Sequence, residues 1–368
     1  MPVSQPFTLT WLRKYWQSAY SWGRASFLAT FVLLAAACVS GTDIAALDHT
    51  EPIEFSYEER VAIPAIDDRE LIYFIDRPLV SQKVPILLSI DGSSCIGQLR
   101  PTFRNSSYRP DAESPALYAR VLVEKPGVDP EADYPSECTE DFLKHYSMDQ
   151  RVTDHLRTLQ HLSATADWWD GTLLVWGWSD GGDIAAQLTA YYPNIERAVI
   201  GAAGGGYTMA EHFEDFWVCS EERAGERRPR CVEKMREQFQ KIFDNPTWTK
   251  TWSGHDNSWK VWATRLNSRL SNILRDNQTP ILLVQGAEDF DSTPAASSRK
   301  LVADLEAVGN DAYTYWEIPG MKHGVGSLPA EQKALVEAAM LNWLLNVDVG
   351  EGGPPSFGAA PTLAEPED

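Results

Sequence analysis

The segment Gly177-Trp178-Ser179-Asp180-Gly181-Gly182 constrains this chain more than any other. It follows the apolar run Leu-Leu-Val-Trp and precedes the helix-forming Asp-Ile-Ala-Ala-Gln-Leu. A serine at the apex of so tight a strand-to-helix turn needs a strained backbone. The residues two before and two after it approach closely, where a Cβ would collide, so Gly177 and Gly181 are required there. Gly182 lets the helix lie close to neighbouring strands. The helix N-terminus offers free N–H groups and a positive dipole end to a developing anion. Ser179 is therefore a candidate nucleophile.

The rest of the chain supplies a setting for that turn. Strands are expected at 54–63, 70–75, 84–90, 119–123, 172–176, 197–203, 280–284 and 312–318. Most are short, fully apolar runs that alternate with helical patterns such as 148–162 and 328–345. That alternation predicts an α/β fold with a mostly parallel sheet covered on both faces. The first two strands are longer and read as an antiparallel edge. Residues 207–277 break the pattern with many Trp, Arg and Glu residues and helical stretches at 213–219 and 232–243. They read as an inserted helical cap. Its Trp217, Trp248, Trp252, Trp259 and Trp262 are candidate pocket walls or cap packing. An acidic, Trp-rich cap points to cationic or apolar substrates.

A hydroxyl needs a base to act as a nucleophile. Of seven histidines, His323 alone follows a late strand, in Ile-Pro-Gly-Met-Lys-His-Gly. The others fall in the tether (His49), near the helix before the serine strand (His145, His155, His161) or in the cap (His212, His255). The acid that orients the base should follow the preceding strand, where Glu288, Asp289 and Asp291 compete. Gly286 three residues before and Pro294 five after favour Asp289. Its carboxylate would hold the imidazole tautomer and stabilise the imidazolium.

The order Ser179, Asp289, His323 is that of the α/β-hydrolase type. From about 54 to 346 the chain resembles an α/β-hydrolase fold serine hydrolase. The Gly-Trp-Ser-Asp-Gly-Gly turn and the Pro-Ile-Leu-Leu-Val-Gln-Gly-x-x-Asp segment carry the likeness. Dienelactone-hydrolase-like and prolyl-oligopeptidase-like branches are nearest, although the β-propeller usual in the second has no room before the third strand. The resemblance implies a catalytic domain at 53–206 and 278–347, interrupted by the cap at 207–277. It also implies an oxyanion hole formed by the Asp180 N–H and an N–H from Asp91-Gly92-Ser93-Ser94-Cys95. Ser93 is the expected donor and Ser94 the alternative. Many family members have His-Gly where this chain has Asp91-Gly92, but the donor is main chain, so the role survives.

The N-terminus reads as an address. Residues 25–37 are uncharged, largely apolar and too few for a spanning helix, which needs ~20. Arg13, Lys14 and Arg24 precede the run, and small residues close it at Cys38. This resembles a bacterial lipoprotein signal over residues 1–38, with lipidation of Cys38 and a tether at 39–52. Ala35 stands where Leu is commoner, and the basic region is long and aromatic. Plain secretion and an uncleaved anchor are the alternatives. Acyl chains contribute ~0.8 kcal/mol per buried methylene and would hold the domain on a membrane. The other cysteines are Cys95, Cys138, Cys219 and Cys231, an even set suited to two disulfides. Of three possible pairings, closeness in sequence favours Cys219–Cys231, which leaves Cys95–Cys138. Residues 348–368 read as a disordered acidic tail.

Beyond Cys38 the chain carries 29 basic and 52 acidic residues, which disfavours a nucleic-acid partner. No metal-site or phosphate-loop motif appears, and no cofactor is expected. The sequence therefore predicts an exported, lipid-anchored serine hydrolase of the cell envelope. It would cleave an ester, thioester or amide of a small-molecule or peptide substrate, with esterase action preferred. A serine peptidase, an acyltransferase and a non-catalytic surface binding protein on the same scaffold are the alternatives.

Overall fold

A computed structural model describes residues 52–347, apart from 68 and 136. The Cys38 lipidation site, the signal, nearly all of the tether, and the tail lie outside the described residues. Among the described residues no helix is long and apolar enough to cross a membrane.

Eight strands form one sheet: β1 (Phe55–Pro64), β2 (Glu70–Pro78), β3 (Val84–Ile90), β4 (Ala119–Val123), β5 (Trp169–Trp178), β6 (Ile195–Gly201), β7 (Ile281–Gly286) and β8 (Tyr313–Ile318). Their spatial order is β1-β2-β4-β3-β5-β6-β7-β8. β1 and β2 pair antiparallel, and β2 is also antiparallel to β4. Every other pairing is parallel. The central strands are continuous apolar runs because both of their faces are covered. On β5, Leu173 and Val175 face one core while Leu174 and Trp176 face the other.

The first core lies beneath helices α1 (Met148–Thr165), α2 (Asp180–Tyr191) and α5 (Ala295–Ala307). The second lies beneath α6 (Ala330–Leu345), whose Val336, Met340 and Leu344 meet Leu174, Val199 and Leu282. Between β6 and β7 stands a helical insertion with α3 (Arg228–Asp244) and α4 (Trp259–Arg265). Phe213, Phe239, Ile242, Trp262 and Leu266 form its own core, with Trp217, Trp252 and Trp259 packed against it. The tryptophans thus serve mainly to hold the insertion together, and Trp248 joins neither this cluster nor the cavity wall.

Parallel pairing places the C-terminal ends of β3, β5, β6, β7 and β8 along one sheet edge, where open α/β sheets bind their ligands. Two disulfides fasten the surroundings. Cys95–Cys138 ties the segment after β3 to the one before α1, and Cys219–Cys231 staples the insertion. Their residue separations are 43 and 12. In the chain-entropy model, loops of these sizes stabilise by roughly 4 and 3 kcal/mol. Cys95→Ala/Cys138→Ala should therefore lower unfolding stability at least as much as Cys219→Ala/Cys231→Ala. Urea denaturation of both double variants measures this, and unchanged midpoints in both would contradict it.

Candidate active site

Ser179 sits between β5 and α2 with φ 57° and ψ −126°, a conformation that non-glycine residues rarely adopt. The turn is held because its neighbours pack without side chains. A Cβ on Gly177 would strike the Gly181 carbonyl, and one on Gly181 would strike the Ile90 carbonyl. The Ser179 N–H donates to the Gly201 carbonyl at 2.8 Å, which anchors the apex to β6.

His323 lies on the loop after β8. Its Nε2 is 3.0 Å from Ser179 Oγ, and its Nδ1 is 2.8 Å from Asp289 Oδ2. Asp289 follows β7 and is 2% exposed. Its other oxygen accepts the N–H groups of Ser292 and Thr293, at 3.1 Å each. An acceptor at Nδ1 keeps the proton there and leaves the Nε2 lone pair facing the serine hydroxyl. Trp178 adds a support: its Nε1 donates to the His323 carbonyl at 2.8 Å. The fold therefore brings Ser179, Asp289 and His323 together across the sheet edge. Neither competing acid takes the place of Asp289 beside Nδ1. Glu288 is exposed, and Asp291 pairs with Arg223 at 3.0 Å.

Ser93 follows β3 and lines the same cavity as Ser179. A Cβ on Gly92 would come within 3.3 Å of the Ser179 Cβ, so only a glycine leaves the space beside the nucleophile open. The Asp180 N–H is at the first position of α2, where no intrahelical acceptor exists. Ser94 turns away with φ 75°, and its hydroxyl donates to Asp256 of the insertion.

The cavity holds about 550 Å³, with Trp217 and Trp262 of the insertion among its walls. It is lined by Asp180, Asp183 and Asp291 against Arg223 and Arg265. Sequence patterning did not single out Asp183 or Arg265. Arg265 forms an ion pair with Asp180, which also accepts the Tyr146 hydroxyl at 3.2 Å. Asp183, four residues after the nucleophile, accepts the Gly204 N–H at 3.1 Å, the one hydrogen bond of its carboxyl among the described residues. Burial and the neighbouring Asp180 push its carboxyl up to about 7. Burial also depresses His155 to about 3 and His212 to about 4, so neither carries charge at neutral pH. Among the described residues, one group of potential metal ligands is close-set: Cys95, Cys138 and His255. The two cysteines share a disulfide and have no thiolate to offer.

The fold and this site define a serine hydrolase of the α/β-hydrolase class. Residues 140–348 match the prolyl oligopeptidase family, and the chain belongs to that family. Among solved structures it is similar to a protein described as a dienelactone hydrolase from Klebsiella pneumoniae, at 16% identity and TM-score 0.53, covering 81% of this chain and all of that one. It is also similar to an acylaminoacyl peptidase from Pyrococcus horikoshii, at 12% identity and TM-score 0.51, covering 81% of this chain and 41% of that one. Est1E from Butyrivibrio proteoclasticus with bound ferulic acid aligns at 12% identity and TM-score 0.51, covering 78% and 98% of the two chains. At these identities the likenesses show the fold alone. No curated protein matches the chain in sequence.

The raised Asp183 carboxyl makes stability depend on pH. An ordinary aspartate titrates near ~3.9 in an unfolded chain, whereas here the group titrates at about 7. Its contribution is full below the unfolded value and is lost as pH rises through the folded one. Asp183→Asn should therefore lose less stability than wild type between pH 5 and pH 8. Urea midpoints at the two pH values test this, and equal losses in both proteins would contradict it.

Proposed function

We propose that the protein is an exported carboxylic ester hydrolase working through Ser179, His323 and Asp289. The observation that carries this reading is the imidazole bridge, 3.0 Å to the serine hydroxyl and 2.8 Å to a buried carboxylate. His323 Nε2 takes the hydroxyl proton as Ser179 Oγ attacks the carbonyl carbon. Asp289 stabilises the imidazolium through Nδ1. The Ser93 and Asp180 N–H groups receive the oxyanion. The imidazolium protonates the leaving group, and an acyl-enzyme remains. Water, deprotonated by the same nitrogen, then releases the acid.

An insertion folded over a cavity of about 550 Å³ supports small substrates. Two disulfides support an oxidising compartment, and acylation of Cys38 would attach the domain to a membrane. The cavity charges support a substrate bearing an ammonium group. Arg265 is paired with Asp180 and Arg223 with Asp291. Among the described residues no ion pair reaches Asp183, whose carboxyl lines the cavity. A cationic substrate group there would favour the ionised form of this carboxyl, which burial and Asp180 otherwise oppose. Peptidase action is the second reading, and membership of the prolyl oligopeptidase family favours it.

A panel of 4-nitrophenyl esters and aminoacyl 4-nitroanilides separates the two. The esters should turn over faster, and Ser179→Ala should lose at least ~10⁴-fold in kcat. Equal turnover by wild type and Ser179→Ala would remove the mechanism, and faster anilide cleavage would favour the peptidase. For the ammonium group, 4-nitrophenyl 6-aminohexanoate is compared with the hexanoate, and butyrylcholine with 3,3-dimethylbutyl butyrate. The first pair probes the acyl side and the second the leaving side. One cationic member should lead by about tenfold in kcat/KM, and no preference in either pair would exclude this role for Asp183.

A further inference from the structure

The segment after β3 rests on an unusual buried charge cluster. Asp91, 2% exposed, is met by Lys125 Nζ at 2.7 Å, Arg151 Nη2 at 3.0 Å and Arg100 Nη1 at 3.5 Å. Three cations facing one carboxylate exceed what neutralising Asp91 requires. Glu124 lies beside Lys125, and counting it as ionised still leaves the cluster net positive. The surplus donors do not stop at side chains. Arg151 Nη2 also donates to the Asp91 carbonyl at 2.9 Å, and Arg151 Nη1 to the Gly92 carbonyl at 3.2 Å. Lys125 Nζ reaches the same Gly92 carbonyl at 3.4 Å.

This pattern bears on the nucleophile. In a planar trans peptide, the C=O of one residue and the N–H of the next point in opposite directions. Cations that draw the Gly92 carbonyl inward therefore turn the Ser93 N–H outward, to the side where Ser93 lines the cavity with Ser179. Among the described residues that N–H meets no backbone acceptor. The far end of the loop is fixed separately, by the Ser94 hydroxyl on Asp256 and by the Cys95–Cys138 disulfide.

We propose that Arg151 and Lys125 are positioning residues of the oxyanion hole: by holding the Gly92 carbonyl they aim the Ser93 amide at the developing oxyanion. The net positive cluster adds a field of the matching sign beneath it. Asp91 sets the register of the two cations. Burial alone would raise its carboxyl, but Lys125, Arg151 and Arg100 hold it below the usual range, so it stays ionised and keeps them in place. This inference rests on the hydrolase reading of Ser179.

The test uses full-length protein, a 4-nitrophenyl ester and a trifluoromethyl ketone whose tetrahedral adduct needs the same hole. Removing an oxyanion donor outright typically costs ~10²–10³ in rate, so a misaimed one should cost about 10- to 100-fold. Arg151→Met is expected to lower kcat by that factor with KM within about twofold, and to raise the ketone Ki in proportion. A merely structural role would reduce the active fraction and leave Ki unchanged. Arg151→Lys keeps the charge but replaces the two-nitrogen fork that spans the Asp91 and Gly92 carbonyls with a single, shorter-reaching ammonium. It should show a smaller shift of the same kind, and it serves where Arg151→Met does not fold. Lys125→Met should behave as Arg151→Met does. An unchanged Ki in every folded variant of an active wild type overturns the proposal. A wild type whose Ser179 resists a fluorophosphonate probe overturns the hydrolase reading instead.

Discussion

The apex of one turn sets the terms for the whole molecule. Ser179 holds a backbone conformation that costs of order 1–3 kcal/mol, and such strain persists only where the surroundings over-determine it. Here the surroundings are the carbonyls of Gly181 and Ile90, pressed where side chains would otherwise stand, and the bond from Ser179 to β6. Those contacts exist only if β3, β5 and β6 lie parallel and in register. Ile90 lies opposite Gly177, and Trp178 opposite Gly201. The apolar faces on both sides of the sheet hold that register, so the two cores sustain the geometry of a single residue.

Charge is distributed around this apex in layers. Beneath the segment after β3, cations outnumber carboxylates. Inside the cavity, the acids Asp180, Asp183 and Asp291 outnumber Arg223 and Arg265. The two regions meet at Tyr146. Its ring lies near the Arg151 guanidinium, and its hydroxyl bonds Asp180. A negative charge forming on a substrate carbonyl would lie towards the positive layer, while a positive substituent would find its partner on the other side. The overall acidity of the chain, −20, says nothing of this arrangement.

How much of this was legible in the sequence follows from what kind of information each feature needs. The strands could be read because parallel strands buried on both faces are short apolar runs, as in Val84–Ile90. Helix α1 extends three residues beyond its expected end at 162, since a frayed helix end carries little pattern. The order of Ser179, Asp289 and His323 could be read because each follows a strand at the same sheet edge. The residues that went unnoticed depend on packing between distant elements. Asp183 looks like any acid in a first helical turn, and Arg265 like any base in a last one. Arg151 left a fainter trace. It falls on the buried face of α1 with Met148, Val152 and Leu159, where a charge needs a buried partner. The N-terminal address and the tail fall outside the described residues.

The insertion is not attached to the sheet edge at random points. Arg265 grips the carboxylate of the residue next to the nucleophile, and Asp256 grips the hydroxyl next to Ser93. Swinging the insertion away as a rigid lid would therefore loosen both residues beside the oxyanion. Open and ready are mutually exclusive states for such a lid. The exposed Arg223–Asp291 pair is a further tie across the same cavity, since Arg223 also bonds the carbonyl of Trp217 in its wall.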